Sequence, residues 1–128
     1  MGLFDLFASS GPRFGSVSLN NLRNIQSDWE NIAILIRGST PSQLRQALIA
    51  ADKTLDAALR DIVDGESMGE RLKNVRDLMD RDMYQKMWAA HRVRNNLVHE
   101  AGYEPPHYVV KSAIEDLRTV LHRLGVQV

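Results

Sequence analysis

A chain of 128 residues is the size of one compact domain and is long enough to bury a core without disulfides or a structural metal. Its 44% hydrophobic and 25% charged residues fit neither a disordered segment nor a membrane span. Sixteen basic and sixteen acidic side chains cancel, so no global field draws the protein to nucleic acid or an anionic membrane, and the absence of cysteine excludes thiol chemistry, disulfides and zinc-finger sites.

Met1 to Phe7 is apolar, but it lacks a basic leader, is interrupted by Asp5 and is too short to cross a membrane. Gly2 is a poor acylation site because Leu6 stands where Ser or Thr is wanted. With no export signal and no cysteine, a cytoplasmic location is expected, with no membrane contact. Leu3, Phe4, Leu6 and Phe7 read instead as a hydrophobic arm that docks on its own domain or on a second subunit. The Gly- and Ser-rich stretch from Ser9 to Ser18, with Pro12, reads as its linker. The division is therefore an arm and linker over 1–18 and a single helical domain over 19–128.

From Leu19 the apolar residues recur at helical spacing. Leu22, Ile25, Trp29, Ile32 and Ile36 form one stripe, which ends at Gly38, a residue suited to a left-handed C-terminal position. Thr40-Pro41-Ser42-Gln43 is a capping box with proline at the first helical position, and it opens a second helix. That helix carries Leu44, Leu48, Ala51, Leu55, Ala58 and Ile62 in a seam of nearly seven-residue period, closed by Gly65. Ser67-Met68-Gly69-Glu70 is a second capping box, with Leu72, Val75 and Met79 in the shorter helix behind it. Asp80 caps a fourth helix expected to reach about Ala101 and to yield at Gly102. Pro105-Pro106 opens a last helix with the stripe Val110, Ala113, Leu117, Val120 or Leu121, and Leu124, ended by Gly125. No segment alternates with period two, so a sheet is not expected. Short connections between long helices predict an all-α, up-and-down bundle of four to five helices.

The fourth helix carries the unusual chemistry. On a helical wheel Met83, Met87, Ala90, Leu97, Val98 and Ala101 fall within roughly 60° of Arg94, which puts a guanidinium in the middle of the apolar stripe. A guanidinium cannot lose its proton to escape burial, so Arg94 needs a partner or a wet cleft. Asp52, Asp56 and Glu115 on neighbouring helices are the candidate partners, and in that case Arg94 is a structural ion pair. His99 lies roughly 140° around the helix from Arg94 and about 7.5 Å along it. Near a helix C-terminus it could simply cap free carbonyls.

The segment Trp88-Ala-Ala-His-Arg-Val-Arg94-Asn95-Asn-Leu-Val-His99-Glu100 resembles the signature of HEPN proteins, in which an arginine, commonly followed by a polar residue, precedes a histidine by four to six intervening positions. The similarity is best from about Leu48 to Leu124. It implies a HEPN-like homodimer whose two motif segments face a shared cleft, with RNA as substrate of the active members. These are metal-independent endoribonucleases, often toxins or defence components with an antitoxin partner. Carried onto this chain, His99 would act as acid or base and Arg94 would stabilise charge on the phosphate. Asn95 would orient the substrate or hold the other two. The 2′-hydroxyl is a built-in nucleophile, so a 2′,3′-cyclic phosphate product is expected with no cofactor. His91, Arg92, Tyr103 and His107 are the candidate substrate-binding residues around the motif. The resemblance equally covers noncatalytic modules that bind nucleotides, RNA or protein partners.

Other features read less sharply. The four histidines lack zinc-like spacing with acidic partners, so no metal site is expected. His107 and Tyr108 line a cleft mouth or a solvated helix start. Tyr84 and Trp88 are base-stacking candidates or core and dimer contacts. Arg71, Lys73 and Arg76 form a local basic patch or a solvated face.

Overall fold

The computed structural model describes residues 15–128, so the predicted arm and most of its linker lie outside the described residues. Five α-helices follow: α1 (Leu19–Gly38), α2 (Pro41–Ile62), α3 (Met68–Asn74), α4 (Arg81–His99) and α5 (His107–Arg123), with a 3₁₀ turn at Arg76–Leu78. The all-α bundle expected from the periodicity is what forms, and no strand occurs among the described residues. None of the helices among them is long and apolar enough to cross a membrane.

Local chemistry fixes the helix ends. Ser18 Oγ accepts from the Asn21 backbone N–H and starts α1. Asp61, near the end of α2, accepts from Ser18 N at 2.9 Å and Asn21 Nδ2 at 3.0 Å, and these bonds hold its carboxyl below the ordinary value. At the other end of α1 the left-handed residue is Ser39, at φ 56°, rather than the expected Gly38. Its hydroxyl compensates by donating to Ile36 O at 2.6 Å. Glycine is needed at 38 for a different reason: a Cβ there would fall on the side chain of Gln43, which closes the Thr40 capping box.

α2 is the central element, packed against α1, α5, α4 and α3. Its seam residues Leu44, Leu48, Ala51, Leu55 and Ala58 are essentially fully buried, joined by Ala47 and Leu59. Truncating one of these leucines to alanine costs about 2–5 kcal/mol by the usual cavity argument. Where α1 and α2 meet, Trp29 Nε1 donates to Thr54 Oγ1 at 3.0 Å and Thr54 donates on to Ala51 O at 2.7 Å, so this buried polar pair is satisfied.

The third helix is shorter than its stripe predicts. α3 stops at Asn74 and continues as the 3₁₀ turn, although Val75 and Met79 are buried as expected. Ser67 caps α3 through Glu70 N, while the Glu70 carboxylate reaches back to Glu66 N rather than to Ser67 N. The basic patch does not form as such, because Arg71 turns inward. Its Nε donates to Asp56 Oδ1 at 2.8 Å, its Nη2 to Asp56 Oδ2 at 3.2 Å and its Nη1 to Gly65 O at 2.8 Å.

Asp80 caps α4 through Met83 N, and α4 ends at His99, two residues before the expected Ala101. Glu100 leaves the helix and Gly102 turns the chain at φ 79°. α5 begins after Pro106 and buries Val110, Ala113, Ile114, Leu117, Val120 and Leu121.

Candidate functional site

The buried stripe of α4 is real but short. Met87 and Ala90 are buried, whereas Leu97 is half-buried, Val98 is 37% exposed and His99 is exposed, so the stripe fades over the last turn of α4. Arg94 stands at this margin. Its side chain is 29% exposed, with Nε 3.5 Å from Asp52 Oδ2. Of the three carboxylates that sequence offered, Asp52 is therefore the partner; Asp56 binds Arg71 and Arg60.

Asp52 comes from the middle of α2 and is 1% exposed. Both of its oxygens lie against His91 Nδ1, at 3.1 and 3.0 Å. Asn95, one turn beyond His91 on α4, closes the loop: its Oδ1 accepts from Arg94 Nη1 at 3.0 Å and its Nδ2 lies 3.3 Å from His91 Nε2. Asp52, His91, Asn95 and Arg94 thus form one ring. The assignment that sets no donor against a donor has Asn95 donating to Nε2 and Nδ1–H donating to Asp52. The carboxylate and the guanidinium then cancel within the ring.

The ring has one loose joint. Arg94 Nε is the only buried side-chain nitrogen or oxygen without a hydrogen bond among the described residues. At 3.5 Å its attraction to Asp52 is electrostatic rather than a hydrogen bond. Nη2 makes no hydrogen bond among the described residues and is not buried. Arg94 accordingly keeps an outward edge with donors to spare.

His99 belongs to a different neighbourhood. It lines an open groove of about 740 Å³ between the start of α2 and the turn joining α4 to α5. Tyr103 and His107 line the same groove, with Arg45, Glu100 and Glu104 contributing charge. Arg45 Nη2 donates to Leu97 O at 3.1 Å and ties the start of α2 to the end of α4. No hydrogen bond or ion pair joins His99 to Arg94 among the described residues.

The predicted site residues therefore divide three ways. Arg94, Asn95 and His91 share the ring, His91 as a buried member bonded to Asp52. His99, Tyr103 and His107 share the groove. Arg92 is exposed on α4 and joins neither set. Tyr84 and Trp88 are half-buried against the core, in edge-to-face contact at 6.4 Å, and Trp88 meets the His91 ring at 6.0 Å. Asp52 was legible only as one of three partners for Arg94. The signal that singles it out is a carboxylate set beside Leu48, Ala51 and Leu55 in the most apolar seam of the chain.

Among the described residues no group of three or more His, Asp or Glu side chains is placed to hold a metal ion. The chain matches no family model, no curated protein and no solved structure.

Proposed function

We propose that this protein is a HEPN-like, metal-independent endoribonuclease that works as a homodimer, with Arg94 and His99 as its catalytic pair. The observation that carries the reading is the state of Arg94: the chain holds this guanidinium by one edge and leaves Nη2 free beside the exposed end of α4. A guanidinium fork with spare donors on a partly exposed side chain is suited to a phosphate. In the reaction, His99 takes the proton of a ribose 2′-hydroxyl, the 2′-oxygen bonds to phosphorus, and the P–O5′ bond breaks. The departing 5′-oxygen is protonated, leaving a 2′,3′-cyclic phosphate and a 5′-hydroxyl. Arg94 stabilises the charge on the phosphoryl oxygens, and Asn95 holds its direction.

Five residue steps of helix separate the pair by about 7.5 Å along the axis and roughly 140° around it. A second copy facing the same end of α4 supplies the missing proximity, which is why the reading includes a dimer. An RNA-cutting protein needs restraint in its cell, and a toxin or defence role with an antitoxin partner belongs to the same proposal.

The test is cleavage of single-stranded RNA by pure protein with EDTA present, read as cyclic phosphate ends. Arg94→Ala and His99→Ala should each abolish cutting while keeping the wild-type helical spectrum; normal cutting by either variant overturns the assignment. Sedimentation should give twice the chain mass. A second reading, a noncatalytic RNA- or nucleotide-binding or interaction module, is favoured by the closure of the ring within one chain, which makes a stable Arg94 without any substrate. It predicts binding that depends on Arg94 with no turnover.

A further inference from the structure

Packing alone does not aim the Arg94 guanidinium. Its contact to Asp52 is too long to be a hydrogen bond, so its firm tether is the 3.0 Å bond from Nη1 to Asn95 Oδ1. With its oxygen on Arg94, Asn95 turns its amide nitrogen towards a second acceptor. That acceptor is His91 Nε2, at 3.3 Å. Nε2 accepts only while the imidazole proton sits on Nδ1, and the buried Asp52 carboxylate, 3.0 and 3.1 Å from Nδ1, keeps it there. Polarity therefore passes in one direction, from Asp52 to the His91 tautomer, to the Asn95 amide, to Arg94. With the proton on Nε2 the amide would turn over, and its nitrogen would confront the guanidinium as donor against donor.

We propose that Asp52 and His91 are positioning residues for Arg94, acting through Asn95 to draw Nη1 aside and leave the Nη2 edge facing outward for a phosphate oxygen. Their value to phosphate chemistry rests on the reading of Arg94 given above; their control of the guanidinium does not. The plainer role for the same two residues is a buried histidine satisfied by a buried carboxylate, which would matter to stability and not to Arg94.

Two substitutions separate these roles. His91→Phe keeps a planar ring but removes both polar ends. His91→Gln can restore them, with its oxygen towards Asn95 and its nitrogen towards Asp52. Nitrogen-15 NMR of the intact protein should find His91 in the Nδ1–H tautomer and the Arg94 side-chain nitrogens restrained in rotation. In His91→Phe that restraint should be lost and kcat for RNA cleavage should fall about 10- to 100-fold with little change in KM, the scale expected of a misplaced group. His91→Gln should recover the restraint and most of the rate. In an Arg94→Ala background, His91→Phe should not further weaken binding of a 2′-deoxy oligonucleotide, because its effect runs through Arg94.

If the Arg94 signals and kcat of His91→Phe equal those of wild type, the positioning role is wrong and the ribonuclease reading stands. If wild type leaves RNA intact while His91→Phe frees Arg94, the ribonuclease reading falls and the positioning role stands. Should His91→Phe fail to fold, Asp52→Asn carries the same test. It preserves shape, and it should populate the Nε2–H tautomer and loosen Arg94; an unchanged tautomer and an unchanged Arg94 overturn the proposal.

Discussion

Two arginines meet two carboxylates one turn apart on α2, and they end in opposite states. Arg71 is 9% exposed at its side chain and spends all three of its nitrogens, two on Asp56 and one on Gly65 O. Arg94 is 29% exposed at its side chain, stands 3.5 Å from Asp52 and leaves Nη2 unused. A structural arginine is recognised by engagement of every guanidinium nitrogen, and Arg71 meets that standard. Arg94 keeps part of its capacity in reserve, although Asp52 is the more deeply buried of the two carboxylates, at 2% side-chain exposure against 16%. The difference lies in how the second claimant sits: Arg60 reaches only Oδ2 of Asp56 and leaves Oδ1 to Arg71, whereas His91 lies against both oxygens of Asp52.

Exchange of function for stability is the sharpest way to break this comparison. Arg94→Ala should lower RNA cleavage at least about 100-fold, as loss of a charge-stabilising donor does, with a stability loss of about 1–2 kcal/mol in urea melts. Arg71→Ala should do the reverse, losing about 2–3 kcal/mol because three hydrogen bonds of a buried guanidinium go while Asp56 keeps only Arg60, and folded protein retains a cleavage rate near wild type. If both variants lose stability equally and neither affects cleavage, the two arginines are the same kind of residue.

Carboxylates without an arginine sharpen the point more gently. Burial raises Asp116 above the ordinary carboxyl value, with Lys86 opposing it. An acid whose folded pKa is raised costs stability as pH climbs from 3.8 through the folded value. Asp116→Asn should therefore raise Tm at neutral pH, by about 1–3 °C, and have no such benefit near pH 3. Asp61 shifts the other way, through its bonds from Ser18 N and Asn21 Nδ2. Its contribution is present above 3.8 and fades as pH falls through its lower folded value, so Asp61→Asn should flatten the acid end of the stability profile by a few tenths of a kcal/mol.

Those features written in neighbouring residues were legible in advance. Thr40 with Gln43, Asp80, Gly102 and the two prolines before α5 act within one turn of themselves, and the helices begin and turn where they stand. What needed the fold was set from a distance. The early end of α3 accompanies Arg71 reaching fifteen residues back to Asp56. The wheel placed Arg94 in the apolar stripe, but not at the point where the stripe becomes exposed, since that depends on the neighbouring helices. His91, read from the sequence only as a substrate-binding candidate, sits 60° from Arg94 by the roughly 100° step of a helix and is buried. Its bond to Asp52 spans 39 positions, and no local pattern encodes it.

The position of α2 in the ring and groove also orders the molecule from end to end. Pro41 at its start lines the groove beside His99, whereas Ile62 at its end accepts a hydrogen bond from Gly15 N, where the described chain begins. Twenty-one residue steps of helix span about 30 Å. Gly15 is thus anchored at the pole opposite His99. A label fixed at the exposed Ser16 therefore reports from the far end of α2, well away from the groove.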